Sequence, residues 1–114
     1  MADRTLYRLQ DIVDAIDQIN LLLTGKSLDD VTGDRVLRAA FERFLEILSE
    51  ASRHIPEAMK KRASEIPWSR VGDIGNHLRH AYHRVDAEIL WKIHENGELS
   101  QLRAAVSKFL REVT

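Results

Sequence analysis

Apolar residues recur at every third or fourth position along most of the chain. In the first part of the sequence they fall at Leu6, Leu9, Ile12, Ile16, Ile19 and Leu23. This spacing places them in one stripe on an α-helix, which we expect to end near Gly25. No segment alternates apolar and polar residues with period two, so the pattern offers no strand. The sequence therefore predicts an all-α bundle.

The next two helices are marked by caps and prolines. Ser27 and Asp30 form a capping-box pattern, and the helical spacing resumes after Gly33. The second stripe comprises Leu37, Phe41, Phe44 and Leu48, widened by Ala40, Ile47 and Ala51. A stripe this wide predicts a central helix. After Pro56, residues 57–63 are expected to form either a short basic helix with Lys60, Lys61 and Arg62 or a solvated surface turn.

Three further helices are expected in the second half of the chain. Pro67 suits a first helical turn, and the apolar side of that helix comprises Trp68, Val71, Ile74, Leu78 and Tyr82. Asp86 is the expected cap of a helix that reaches Gly97 and carries Ile89, Leu90 and Ile93. The last stripe comprises Leu102, Val106, Phe109 and Val113. On this pattern alone, the ring of Tyr82 is expected to pack in the core.

Length and composition restrict the class of protein. A chain of 114 residues is the size of one domain, which we assign to residues 1–114. With 17 basic and 18 acidic residues the net charge is −1, so any contact with a polyanion must be local. The absence of cysteine excludes disulfides and thiol nucleophiles. With no membrane span or signal peptide in the pattern, we expect a cytoplasmic protein without a membrane partner.

Polar groups capable of chemistry are concentrated between residues 73 and 84. On a helix, Asn76, His80 and Arg84 share one face at i, i+4 spacing, whereas Leu78 and Tyr82 lie largely opposite. An imidazole can transfer protons and a guanidinium can hold a phosphate, a combination suited to RNA cleavage without a metal. The same residues also fit an ordinary solvated face.

Other catalytic or metal-binding patterns fit this segment poorly. A zinc site made of His77, His80 and His83 is disfavoured because successive steps of three residues drift around the helix. The sequence therefore predicts neither a metal nor a cofactor.

Two glycines interrupt the same segment. Gly72 and Gly75 should each cost roughly 1 kcal/mol relative to alanine inside a helix. Close approach of another helix, a partner subunit or a ligand would offset this cost, and a local break at Gly75 is the alternative.

The order of residues in this region resembles a known family. Ile66-Pro67-Trp68 is followed by Gly-Asn-x-Leu-x-His-x-Tyr at residues 75–82, then by Val85-Asp86 and Trp91. This order resembles the HepT-like branch of the HEPN domains, and the likeness extends from the opening helix through Ser49-Glu50-Ala51 to the C-terminus. The resemblance implies an antiparallel bundle of four to five helices that forms a homodimer with a composite ribonuclease site. It also implies a toxin subunit whose partner is a nucleotidyltransferase antitoxin.

Family residues carry over at three positions. His80 matches the motif histidine, Asn76 matches the polar residue that follows the motif arginine, and Tyr82 matches the tyrosine to which the antitoxin attaches AMP. The arginine itself is replaced by Gly75, so Arg79, Arg84 or Arg70 must supply the guanidinium if RNA is cleaved. The alternative is a noncatalytic HEPN-type module that binds RNA, nucleotide or a protein partner.

Overall fold

The computed structural model describes residues 4–80 and 87–113, with the side chain of His80 outside that description. The described residues form helices and no strand. Their helices are α1 (Thr5–Leu23), α2 (Leu28–Gly33), α3 (Arg35–Arg53), α4 (Glu57–Lys61), α5 (Trp68–His80), α6 (Ala87–Glu95) and α7 (Glu98–Val113). The all-α prediction is confirmed. α2 and α4 are short connecting helices, so the bundle consists of the other five.

The long helix α3 lies at the centre of the bundle, as its wide apolar stripe predicts. It packs against both α1 and α5. Arg8, in the first turn of α1, and Glu50, in the last turn of α3, line the same groove. Between α3 and α5, Arg53 contacts Gly72 and Ser49 contacts Gly75 further along α5. Both pairs of neighbouring helices are therefore antiparallel.

Side-chain caps define where α2 and α3 begin. Asp30 N–H donates to Ser27 Oγ at 3.2 Å, and Ser27 N–H donates to Asp30 Oδ2 at 2.8 Å, which completes the predicted capping box. Asp34 then caps α3 by accepting from the backbone N–H groups of Val36 and Leu37. These short-range bonds fix the turn between the two helices.

Within the described residues, the predicted stripes make up most of the core, but some of their members are exposed. From α1, Leu9, Ile12, Ile16 and Ile19 are fully buried, and Phe41 of α3 lies among them. Ile89, which lies on the predicted helix that reaches Gly97, is 58% exposed, because α6 buries Leu90 and Ile93 and turns Ile89 outward. Val113, the last residue of α7, is 49% exposed. The apolar side of α7 is therefore buried at Leu102, Val106 and Phe109 but not at the last residue of the helix.

One ion pair joins α1 to α7. Arg103 Nε donates to Asp17 Oδ1 at 2.7 Å, and its Nη2 donates to Oδ2 at 3.1 Å. This two-point bond lowers the pKa of the Asp17 carboxyl and raises that of Arg103. Both side chains remain substantially exposed, so the pair orients the two helices more than it stabilises them.

Within the described residues, no helix is both long and apolar enough to cross a membrane.

Candidate active site

Helix α5 continues through both glycines without a break, because α3 lies directly against them. Ser49 of α3 is fully buried. Its hydroxyl donates to Gly72 O at 2.9 Å and accepts from Gly75 N–H at the same distance. A Cβ on Gly75 would lie 3.1 Å from Ser49 Oγ, and one on Gly72 would lie 3.2 Å from Arg53 Cγ. Of the explanations that the sequence left open, close approach of another helix accounts for both glycines.

This packing also explains why position 75 carries no arginine. Gly75 is buried against Ser49, so a larger side chain there would have to displace Ser49 and the end of Arg79. A residue at this position faces α3 and not solvent. A guanidinium at this position would therefore disturb the contact between α3 and α5.

The opposite side of α5 presents polar side chains to solvent. Asp73, Asn76 and His77 are all exposed, whereas Val71 and Ile74 are buried. His80, the last residue of α5, lies one helical turn beyond Asn76. The structure thus confirms the predicted division of this helix into an apolar and a polar side for residues 71–77. Tyr82 and Arg84 lie outside the described residues.

Arg79 lies beside α3, away from the exposed polar side. Its Nη1 would be 3.4 Å from a Cβ on Gly75, so the side chain folds back along α5. It borders a groove of about 300 Å³ between α1, α3 and α5, which Arg8, Arg43 and Glu46 also line. This groove alternates basic and acidic groups, and Arg79 faces the carboxylates of α3 across it.

Glu50 is the carboxylate in this groove whose titration responds to Arg79. Glu50 Oε1 pairs with His54 Nε2 at 3.0 Å, and that hydrogen bond is the main reason why the pKa of Glu50 is lowered. The positive charges of Arg53 and Arg79 lower it further. The guanidinium of Arg79 is therefore attracted toward α3.

Arg70, the third alternative source of a guanidinium, is held elsewhere. Its Nη2 lies 2.8 Å from Glu98 Oε1, at the first residue of α7. That ion pair directs Arg70 toward α7. On helix α5 the direction of residue 70 differs from that of residue 80 by roughly 80°.

A second groove, which the sequence did not reveal, begins at the other end of α5. It has a volume of about 550 Å³ and lies between the end of α3, α4 and the first turns of α5. Its lining includes Arg53, Lys60, Lys61 and Trp68. The sequence marked residues 60–62 as basic, but only the fold brings Arg53 and Trp68 to them.

Among the described residues, no group of three His, Asp or Glu side chains is arranged to hold a metal ion. The zinc set considered from the sequence includes His80 and His83, whose side chains lie outside that part of the chain.

Comparisons with known proteins identify the family of this chain. A family model described as Ribonuclease HepT-like matches residues 12–109. The chain is 38% identical over 84 residues to the "Probable ribonuclease HepT" of Thermococcus cleftensis, which covers 74% of this chain and 76% of that relative. It is 32% identical over 88 residues to a protein with a provisional RNase name from Caldanaerobacter subterraneus, covering 77% and 78% of the two chains.

A similar relative occurs in Methanocaldococcus jannaschii. This protein, also provisionally named an RNase, is 29% identical over 85 residues, covering 75% of this chain and 78% of the relative. No solved structure matches the chain.

Proposed function

The chain belongs to the HepT-like ribonuclease family, and from this premise we propose that it is a metal-independent endoribonuclease that acts as a homodimer. The observation that carries the proposal is the unbroken helix α5, with Asn76 exposed one turn before His80. In the proposed dimer the α5 helices of two subunits meet, and each active site takes residues from both. The substrate is RNA, whose 2′-hydroxyl attacks the adjacent phosphorus.

His80 is the proposed acid–base group of this reaction. Its imidazole accepts the proton of the 2′-hydroxyl, and the paired histidine of the second subunit donates a proton to the leaving 5′-oxygen. Asn76 donates a hydrogen bond from its amide to a phosphate oxygen. Together these steps form a bond between the 2′-oxygen and phosphorus and break the bond to the 5′-oxygen, without a cofactor.

A guanidinium from Arg79 or Arg84 is proposed to stabilise the charge on phosphorus. Arg84 follows His80 by one helical turn, if the helical spacing is extended. Arg79 borders the groove beside α3, and in the proposed dimer it would have to leave this groove to contact the phosphate in the site of the other subunit. Replacing each arginine by lysine and by alanine distinguishes the two, because lysine keeps the charge and loses two-point phosphate binding.

The test is cleavage of a mixed RNA pool in EDTA by the purified protein and by His80→Ala. General acid–base catalysis contributes about 100-fold or more, so the variant is expected to lose at least that much rate. His77→Ala is the matched control, since it removes an exposed imidazole from the same helix. Both variants must elute as dimers and show the helical signal of the parent. Equal cleavage by His80→Ala and the parent would contradict the proposed role.

The biological role that we propose is that of a toxin restrained by a nucleotidyltransferase antitoxin, which attaches AMP to Tyr82. Incubating the chain with its nucleotidyltransferase and ATP is expected to raise the intact mass by one AMP. Tyr82→Phe is expected to remain unmodified. Expression of the chain alone is expected to arrest growth, and His80→Ala to relieve that arrest.

One observation favours a second candidate, a noncatalytic HEPN-type module that binds RNA, nucleotide or a protein partner. Position 75 faces α3 and carries glycine, so the family arginine has no equivalent there. Such a module would dimerise and bind its partner but leave the RNA pool intact in the cleavage assay, after intact mass had excluded AMP on Tyr82.

A further inference from the structure

The basic groove at the start of α5 lies on the same side of that helix as the candidate active site. Ser69 and Asp73 line the groove, and Asn76 and His80 continue along the helix from them. At 100° per residue these four positions fall within roughly 60° of one another on the helix. From Ser69 to His80 the helix rises roughly 16 Å. One strand could therefore follow a single path from the groove to His80.

The cations of the groove are available to a ligand. Among the described residues, neither Arg53 nor Lys61 has a carboxylate within ion-pair distance. Lys60 is 3.7 Å from Glu57 Oε1, a long pair whose carboxylate is mostly exposed. The neighbouring Arg62 is engaged, because it bonds Glu112 and lies over the ring of Phe109. Two cations without an ion pair, Arg53 and Lys61, and the weakly paired and less exposed Lys60 thus line one wall.

Gly72 gives Arg53 its place on this wall. A Cβ at residue 72 would lie 3.2 Å from Arg53 Cγ and 3.9 Å from Cδ, so the arginine stem lies across the helix where a side chain is missing. The neighbouring Trp68 also lines the groove, and its Nε1 donates to Ala63 O at 3.0 Å. That hydrogen bond holds the indole ring in a fixed orientation beside the cations.

We propose that this groove binds the backbone of single-stranded RNA and holds the substrate strand that leads to His80. Phosphates contact Arg53 and Lys61, and a base packs against Trp68. The groove also contains the carboxylates of Glu57 and Asp73. RNA bases carry amino donors that can satisfy those carboxylates, whereas an acidic peptide offers further carboxylates and would be repelled. The observations therefore favour RNA over an acidic protein segment.

This inference rests on the proposed function for its ligand and is tested by binding rather than by cleavage. The probe is fluorescently labelled 2′-O-methyl RNA, which binds but lacks the nucleophile for cleavage. Its affinity is measured by anisotropy over a series of salt concentrations in EDTA, for a trinucleotide and for a longer single strand. The variants are Arg53→Ala/Lys61→Ala and Gly72→Ala. The control Lys26→Ala removes one exposed charge just after the C-terminal end of α1.

The double variant is expected to weaken binding of the longer strand at low salt by at least about fivefold. Each lost phosphate contact should also reduce the salt slope by about 0.7, so the slope should fall by about 1.4. Gly72→Ala should weaken binding by displacing Arg53, while its helical signal is retained. Lys26→Ala should bind the long strand like the parent, and the trinucleotide should bind all four proteins alike.

Each contrary result has a definite meaning. If the double variant matches Lys26→Ala in affinity and slope, or if the parent does not bind the longer strand, the groove is not an RNA site. If polyglutamate displaces the RNA as well as unlabelled RNA does, the occupant is an acidic protein segment and the proposal is wrong. If the parent binds through Arg53 and Lys61 but cleaves no RNA, the groove stands and the proposed activity fails. If the parent cleaves RNA in a His80-dependent way but Arg53→Ala/Lys61→Ala binds RNA like the parent, the proposed activity stands and the groove is not an RNA site.

Discussion

The contact between Ser49 and Gly75 gives a quantitative test of how α3 and α5 pack. Ser49→Ala removes a buried hydroxyl that makes two hydrogen bonds. Each is worth about 1 kcal/mol, and the backbone groups of α5 keep their partners within the helix. We therefore expect a loss of about 1–2 kcal/mol in the free energy of unfolding.

Gly75→Ala has two opposing effects. Alanine favours the helix by about 1 kcal/mol over glycine. Its Cβ, however, would lie 3.1 Å from Ser49 Oγ, and Ser49 is fully buried in a helix that cannot easily yield. Overpacking of this kind costs about 1–3 kcal/mol, so we expect the single variant to be less stable by about 1 kcal/mol.

Combining the two changes should relieve that crowding. Without the hydroxyl, the nearest atoms of α3 to the new methyl group are those around the Cβ of residue 49, at 3.5 Å, which is ordinary contact. The double variant should therefore lie within about 1 kcal/mol of the parent, whereas additive losses would total about 2–3 kcal/mol. The expected coupling is about 2 kcal/mol in the stabilising direction.

The assay is urea unfolding followed by the helical signal at 222 nm, at two protein concentrations so that any effect of dimerisation is visible. Gly33→Ala is the control, because no atom lies within 4 Å of a Cβ there. Its effect should add to that of Ser49→Ala without coupling. If Ser49→Ala and Gly75→Ala are themselves additive within about 0.5 kcal/mol, the close contact described here is not what requires glycine at residue 75.

Three further predictions concern caps and charges. Ser27→Ala should cost about 1 kcal/mol by removing the capping box of α2, whereas Ser27→Asp should retain most of that stability in the same urea assay. Arg103→Ala should cost less than about 1 kcal/mol, because its pair with Asp17 is half-exposed; a larger loss in the thermal melt would contradict that reading. Burial beside Phe41 lowers the pKa of His94 below its ordinary value of 6.5, so the unfolded chain takes up this proton first as pH falls. Stability should therefore rise with pH between that lowered pKa and 6.5, and unfolding of a His94→Gln variant should show a shallower rise.

Short-range patterns predicted the helices well, because each depends on residues close together in the sequence. The stripe from Leu9 to Ile19 is buried as its spacing indicated, and Ser27 with Asp30 caps α2 as expected. The same reasoning placed Asn76 on an exposed side of α5. It failed for Ile89 and Val113, since periodicity identifies an apolar side but not where the neighbouring helices end.

Contacts between distant residues required the folded chain. Nothing near Gly75 in the sequence indicates that Ser49, 26 residues away, accepts its N–H. Asp17 and Arg103 are separated by 86 residues, and a surface carboxylate in a charged sequence has many possible partners. The sequence likewise gives no sign that Arg53, at the end of α3, lies against Gly72 and shares a groove with Trp68.

The sequence alone determined that this chain forms helices, where most of them begin and end, which side of each is apolar, and that the segment around His80 resembles a ribonuclease motif. These properties follow from local backbone geometry and a 3.6-residue period, and both depend on residues that are close together in the sequence. Only the tertiary structure decided that α3 lies against Gly72 and Gly75, that Arg79 borders a groove beside α3, and that a basic groove lies between α3, α4 and the start of α5. Those features depend on how helices that are distant in the chain pack together, and this packing depends on the fit between the side chains of their facing surfaces.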